Sequence, residues 1–222
     1  MAAPELAAVF EDVDAAIARV RDGDTIMSGG FGMAGTPVDL IDALLRSGRR
    51  DLTVISNNVG EPGKGMGRLL REDRLKRVVG SYMTSNPEVA IAEREGRIEV
   101  SLLPQGTMSE AIRAAGAGIP AFYTPAAAGT ALAEGKETRV FEDGREYVME
   151  RALHADVALI HAHRADRLGN LAYRGTARNF NPMMATAAEL VIAEVSEVVE
   201  TGELSPYEIG TPHLYVDVVV KL

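Results

Sequence analysis

The segment Ser28-Gly29-Gly30-Phe31-Gly32-Met33-Ala34-Gly35-Thr36-Pro37 follows a short apolar run, Thr25-Ile26-Met27. It precedes an apolar stripe at helical spacing, Val38, Leu40, Ile41, Leu44 and Leu45, which Gly48 ends. A strand feeding a helix through a glycine-rich turn is one βα unit, and it commits the chain to the α/β class. Glycines there allow positive φ and close approach of a ligand to the backbone. Thr36 is placed to cap the helix, with Pro37 at its first position, and free amides at the helix start suit a phosphate or another anion. Gly30-x-Gly32-x-x-Gly35 also spells the turn of a dinucleotide-binding unit. That chemistry needs an acidic residue at the end of the next strand, about 20 residues on, to hold the ribose. The next strand, Leu52-Thr53-Val54-Ile55, ends in Ser56-Asn57-Asn58 instead, and the nearby Asp51 precedes it, at the wrong end of a sheet. The missing acid speaks against a dinucleotide, while four glycines within seven residues exceed what a bare turn requires.

Further segments repeat the alternation of strand and helix. Leu6, Val9, Phe10, Val13, Ile17 and Val20 recur at helical spacing until Asp22-Gly23. Gly60 to Gly67 reads as a polar, glycine-rich loop. Arg77 to Tyr82 and Ile98 to Leu103 read as strands, Pro87 to Arg94 as a helix, and Thr107-x-x-Glu110 as a capping box opening a helix that runs to about Ala115. Asp143-Gly144, between Val140-Phe141 and Tyr147-Val148, marks a hairpin. Val157 to Ile160, Leu190 to Ala193 and Tyr215 to Val220 complete the strands, and Pro182 opens a helix after Asn181. The expected architecture is an open, mainly parallel, doubly wound sheet with a small antiparallel hairpin, residues 1–222 forming one domain without internal repeats.

Bulk properties narrow the partners. A net charge of −9 argues against nucleic acid and against an anionic membrane surface, which need clustered Lys and Arg. The absence of cysteine removes disulfides, thiolate metal sites and a Cys nucleophile. No apolar run approaches the roughly 20 residues that span a bilayer. Met1 to Phe10 has neither the basic start nor the apolar core of a secretory signal, so a cytoplasmic protein is expected.

Polar residues gather where open α/β sheets bind ligands, at the carboxyl ends of strands. Asn57 offers an uncharged donor and acceptor suited to a carboxylate or carbonyl, or serves as a turn residue. Gln105, in Pro104-Gln105-Gly106-Thr107, falls at the same edge as Asn57; its amide could stabilise an oxyanion or could be an ordinary loop group. Glu61 and Lys64 read as solvated loop charges, with a nucleophilic carboxylate as the alternative for Glu61. Arg178 could bind a carboxylate or form a structural ion pair. His161-x-His163 has no Cys or His partner nearby, so no metal is expected.

Gly29-Gly30-Phe31-x-x-x-Gly35-x-Pro37 resembles the signature of the family I coenzyme A transferases. The likeness extends along nearly the whole chain, through Asp22-Gly23-Asp24, Ser56-Asn57-Asn58, Pro104-Gln105-Gly106-Thr107, Gly116 to Pro125, Ala165-Asp166-Arg167-x-Gly169-Asn170 and Ala177-Arg178-Asn179-Phe180-Asn181. It is greatest to the A (α) subunits of the 3-oxoacid type, which use succinyl-CoA and acetoacetate, and the 3-oxoadipate type is similar. The resemblance implies the open sheet of the CoA-transferase/isomerase fold, coenzyme A as a substrate and no tightly bound cofactor. It implies transfer through a glutamyl-CoA thioester on a glutamate in a Ser-Glu-Asn-Gly motif of a B subunit. Ser109-Glu110-Ala111-Ile112 and Ser196-Glu197-Val198-Val199 lack the Asn-Gly. A B-subunit partner in an A2B2 heterotetramer is therefore implied, with Gln105 as oxyanion donor and Asn57 contacting the substrate or the catalytic glutamate. The loop Gly29, Gly30, Phe31, Gly32, Met33, Ala34 and Gly35 would meet CoA. A nucleotide- or phosphosugar-binding module is the alternative from another class.

Overall fold

The structure is a computed structural model and describes residues 7–222. After β1 (Val9–Glu11) and α1 (Val13–Ile17), four βα units follow in succession. They are β2 (Thr25–Ser28) with α2 (Val38–Ser47), β3 (Leu52–Ile55) with α3 (Met66–Arg71), β4 (Leu75–Gly80) with α4 (Pro87–Arg94), and β5 (Glu99–Leu102) with α5 (Gln105–Gly116). β6 (Ala121–Thr124), β7 (Thr138–Val140) and β8 (Glu146–Arg151) form a separate antiparallel sheet in the order β6-β8-β7. β9 (Ala155–Asp166), β10 (Leu171–Ala172), α6 (Asn181–Ala185), β11 (Ala188–Val199), β12 (Ile209–Thr211) and β13 (Val218–Lys221) complete the chain.

The main sheet runs β1-β13-β11-β9-β2-β3-β4-β5, every neighbouring pair parallel. The short β10 adds to it antiparallel, beside β9 and β12. Side chains alternate between two cores because successive residues of a strand face opposite ways. On β2, Ile26 joins one core and Met27 the other; on β9, Val157 and Leu159 part from Ala158 and Ile160. The first core packs against Ile17 of α1, Leu40, Ile41 and Leu44 of α2, Leu69 of α3 and Val89 of α4. The second packs against Met108 and Ile112 of α5 and Met184 of α6. Helices thus cover both faces, as the strand–helix alternation predicts. From β2 the chain steps outward to β5 on one side, and from β9 outward on the other, so the strand order reverses between β2 and β9. A reversal of this kind leaves a crevice beyond the carboxyl ends, and the glycine loop starts there, where Ser28 lies beside Leu159. Among the described residues no helix is long and apolar enough to cross a membrane.

Several sequence expectations give way to tertiary context. Leu6 lies outside the described residues. Val9 and Phe10 are not helical; they pair with Val218 and Val219 on the sheet edge. The helix starts only at Val13, where Asp12 Oδ1 accepts the Ala15 N–H at 2.9 Å. The loop after β3 ends at Gly65, because α3 begins at Met66. Thr107 and Glu110 form no capping box: α5 starts earlier, after Pro104, and places both inside the helix. Glu110 instead pairs with Arg113 at 2.7 Å, which holds its carboxyl below the usual range. Thr36 does not cap α2 either, since Pro37 occupies the flanking position and the Thr36 hydroxyl donates to Gly32 O at 3.1 Å. No internal repeat is legible in the residues, yet one turn recurs. Phe31 pairs with Ala34 after β2, and Glu61 pairs with Lys64 after β3.

Candidate active site

The glycine loop leaves β2 at the switch point and closes on itself. Gly29 N–H donates to Leu159 O at 3.0 Å, Phe31 N–H to Ala34 O at 3.0 Å, and Ala34 N–H to Phe31 O at 3.2 Å. Gly30, Gly32 and Gly35 have φ of 117°, 61° and 69°, values that strain any residue with a side chain. The amides of Gly32 and Met33, at the turn, have no partner among the described residues. Phe31 is 53% exposed beside them.

One amide of the helix start behind the loop is already engaged within the protein. Glu194, fully buried on β11, points its carboxylate at it, and Oε2 accepts the Leu40 N–H at 2.9 Å. Its other oxygen lies 3.0 Å from His161 Nδ1. The protein itself thus supplies the negative charge that the start of α2 favours. One of the amides that the sequence leaves for a phosphate or another anion is thereby taken within the protein. Sequence reasoning missed Glu194 because it continues an apolar run, Leu190 to Ala193, and its partner Leu40 is 154 residues away.

At the carboxyl ends of β3 and β5 the structure brings Asn57 and Gln105 together. Asn57 is buried, whereas Gln105, the first residue of α5, is exposed. Gln105 Nε2 donates to Asn57 Oδ1 at 2.8 Å, and the Ser81 hydroxyl donates to the same oxygen at 2.9 Å. The Asn57 carbonyl accepts the Tyr82 N–H at 2.9 Å, which anchors its backbone to the end of β4. With Oδ1 doubly occupied, the orientation of the Asn57 amide is fixed. Asn57 Nδ2 has no partner among the described residues, and one N–H of Gln105 Nε2 is likewise uncommitted. Two uncharged donors therefore stand side by side, set in position by a third side chain.

The remaining candidates divide. Lys64 Nζ lies 3.0 Å from Glu61 Oε2, an exposed pair that spans its own turn. Arg178 is exposed, with no ion pair among the described residues. Two neighbours that belong to a motif of the family likeness but carry no role in the sequence reading, Asn179 and Asn181, bond to the glycine loop directly. Among the described residues no cluster of three His, Asp or Glu is arranged to hold a metal.

Residues 10–222 match the family described as Coenzyme A transferase. The chain is 48% identical to the A-type subunit of the succinyl-CoA:3-ketoacid coenzyme A transferase of Helicobacter pylori, over 96% of this chain and 91% of that protein. It is 51% identical to the A-type subunit of the 3-oxoadipate CoA-transferase of Pseudomonas putida, over 96% of this chain and 93% of that protein. The acyl-CoA transferase apoenzyme of Escherichia coli O157:H7 shares the fold, with a TM-score of 0.90 at 21% identity over 98% of this chain and 47% of that one. This chain thus spans about half the length of that solved chain. Taken with a glycine loop at the switch point and paired amides beside it, these similarities establish that the chain belongs to the coenzyme A transferase family and is a CoA-transferase chain.

Proposed function

We propose that this chain is the A subunit of a two-subunit enzyme that moves coenzyme A between an acyl-CoA and a 3-oxo acid. The first-choice pair is succinyl-CoA with acetoacetate, and 3-oxoadipate is the second-choice acceptor; the names of the Helicobacter and Pseudomonas relatives support both. The observation that carries the reading is the Gln105–Asn57 pair, 2.8 Å apart, with its free N–H groups at the carboxyl edge of the sheet. Two cores flanking one main sheet support reading the chain as one domain.

In the reaction, the B subunit's glutamate carboxylate attacks the thioester carbonyl. A C–O bond forms, the carbonyl oxygen takes up negative charge, and loss of the CoA thiolate leaves an acyl-glutamyl anhydride. The thiolate then attacks the glutamyl carbonyl, expels the first carboxylate and leaves a glutamyl-CoA thioester, from which the second acid takes CoA by the reverse steps. Every step passes through an oxyanion. Neutral N–H donors held at fixed spacing stabilise that charge without reorganising. Gln105 supplies such a donor, and Asn57 orients it while keeping its own Nδ2 for the substrate or the attacking glutamate. Gly29 to Gly35 form a side-chain-poor wall along which CoA lies, with the Gly32 and Met33 amides and the Phe31 ring available to it.

The test is co-expression with a B subunit that carries Ser-Glu-Asn-Gly. The pair of chains should exchange CoA between succinyl-CoA and acetoacetate, and this chain alone should not. In the complex, Gln105→Ala should lower kcat about 10²–10³-fold, the usual cost of one oxyanion donor. An unchanged rate removes that role; full activity of the isolated chain overturns the division of labour. Native mass measurement of the complex checks the A2B2 stoichiometry.

A further inference from the structure

We propose that Asn179 and Asn181 are positioning residues that clamp the glycine loop in its ligand-ready shape. The clamp itself stands on this structure; its consequence for CoA rests on the function proposed above.

Asn181 is fully buried at the start of α6. Its Oδ1 accepts the His161 N–H of β9 at 3.0 Å, and its Nδ2 donates to Gly35 O at 3.0 Å and Ala177 O at 2.9 Å. Asn179 grips the same loop at its other points. Its Oδ1 accepts the Gly30 N–H at 3.1 Å, and its Nδ2 donates to Ala34 O at 2.9 Å and Thr176 O at 3.0 Å. Both ends of the turn are therefore tied, through two carboxamides, to the central strand β9 and to the segment before α6. A carboxamide carries a donor and an acceptor side by side on one planar group, which a carboxylate does not. Aspartate would set an oxygen against the Gly35 and Ala177 carbonyls.

The loop glycines record the same fit. A Cβ on Gly29 would lie 1.8 Å from Asn181 Oδ1, and one on Gly35 would lie 2.3 Å from Ala177 O and 2.9 Å from Asn179 Nδ2. Gly29 needs no positive φ, so it is the clamp that excludes a side chain there. Asn179 itself sits at φ 22°, ψ −118°, a backbone conformation that side chains avoid and that persists only where surrounding contacts over-determine it. These constraints converge on one turn, whose amides at Gly32, Met33 and Gly35 have no partner among the described residues and so remain for a ligand. Loosening the clamp lets the turn sample other shapes and reduces the fraction competent to bind, which weakens binding without touching the reacting atoms.

The experiment compares wild type, Asn181→Ala, Asn181→Asp and Asn179→Gly, each in the co-expressed complex. The glycine variant relieves the backbone while it removes the grip, so it folds even if the others do not. Amide hydrogen exchange over residues 29–35 should rise about tenfold or more in each variant, the loss expected for one or two hydrogen bonds, with exchange in β9 and β11 unchanged. KM for the acyl-CoA should rise about tenfold with kcat held within about threefold, the pattern of lost binding rather than lost chemistry. Asn181→Asp, although nearly isosteric, should behave like Asn181→Ala. Gly29→Ala should be severely impaired alone and partly rescued in the Asn181→Ala background. Unchanged exchange over 29–35 overturns the clamp whatever the activity. Raised exchange with unchanged KM, or a fall confined to kcat, overturns its positioning role. A wild-type complex without transfer activity would instead remove the CoA-transferase reading, and the exchange arm would still decide the clamp.

Discussion

Glu194 shows how a single residue ties the site to the core. Its carboxylate satisfies an amide of α2 and faces His161, so truncation orphans a buried donor. Leaving such a group unpaired costs about 1–3 kcal/mol. Glu194→Ala should lower the urea-unfolding free energy by that amount, and a change below about 0.5 kcal/mol would show that water replaces the carboxylate. Tyr173 makes a second residue-level test. Burial pushes its phenol above the ordinary range, against the smaller opposing effect of the Thr211 hydrogen bond, 2.7 Å away. Below a pH of about 10 the phenol is neutral in both folded and unfolded chains. Above it the unfolded chain ionises first, so the stability Tyr173 contributes falls as pH rises through that range. The advantage of wild type over Tyr173→Phe in denaturation experiments should therefore shrink in alkali; an advantage that grows would contradict the burial. Asn57 and Gln105 were legible as a pair of amides at strand ends because parallel sheets place those ends together. Glu194 was not, and Asn179 and Asn181 were legible only as members of a motif without a role, since the bonds to Leu40 and to the glycine loop span more than a hundred residues.

At the scale of elements, the sequence is most legible where one period runs unbroken. Pro87–Arg94 emerges with its bounds intact, with Asn86 as the cap that accepts the Glu88 N–H at 3.1 Å. The hairpin around Asp143-Gly144 is equally plain, though its third strand, β6, lacks a local signal. Where two signals compete, the stronger packing demand wins. Thr107 and Glu110 match a capping box, but helix α5 begins at Gln105 because Met108 N–H reaches Pro104 O at 2.9 Å. The Thr107 hydroxyl is left buried without a partner among the described residues. Loss of a true N-cap costs typically about 1 kcal/mol. Thr107→Val should do the opposite: it removes an unsatisfied hydroxyl at constant shape, so stability should hold or rise. A loss of a full cap's worth on thermal denaturation would restore the capping box. The first turn of α5 is thereby left for Gln105, which explains why a helix boundary misread by three residues bears on the site.

For the whole molecule, the fold depends on closures between distant parts of the chain. β1 pairs with β13, and β2 with β9, so the sheet is complete only when its last strand is in place. β13 is no edge strand: it lies between β1 and β11, and Val218, Val219 and Val220 are buried across both cores. Each buried valine is worth about 1.5–3 kcal/mol, and three of them approach the stability of a typical domain, about 5–15 kcal/mol. Removal also strips β1 of its only neighbour among the described residues and bares the edge of β11, a long strand with apolar side chains on both faces. The small antiparallel sheet is different in kind. β7 is exposed throughout, and Glu142 to Arg145 project into solvent beyond it. Deleting residues 216–222 should therefore abolish cooperative unfolding and yield aggregated chain. Replacing Glu142–Arg145 by a two-residue turn should shift Tm by only a few degrees, the effect of about 1 kcal/mol or less. Circular dichroism melts of the two variants decide the point. A truncated chain that melts cooperatively near the wild-type temperature would mean that β13 is dispensable, and that the site at the β2–β9 reversal stands on half the sheet alone.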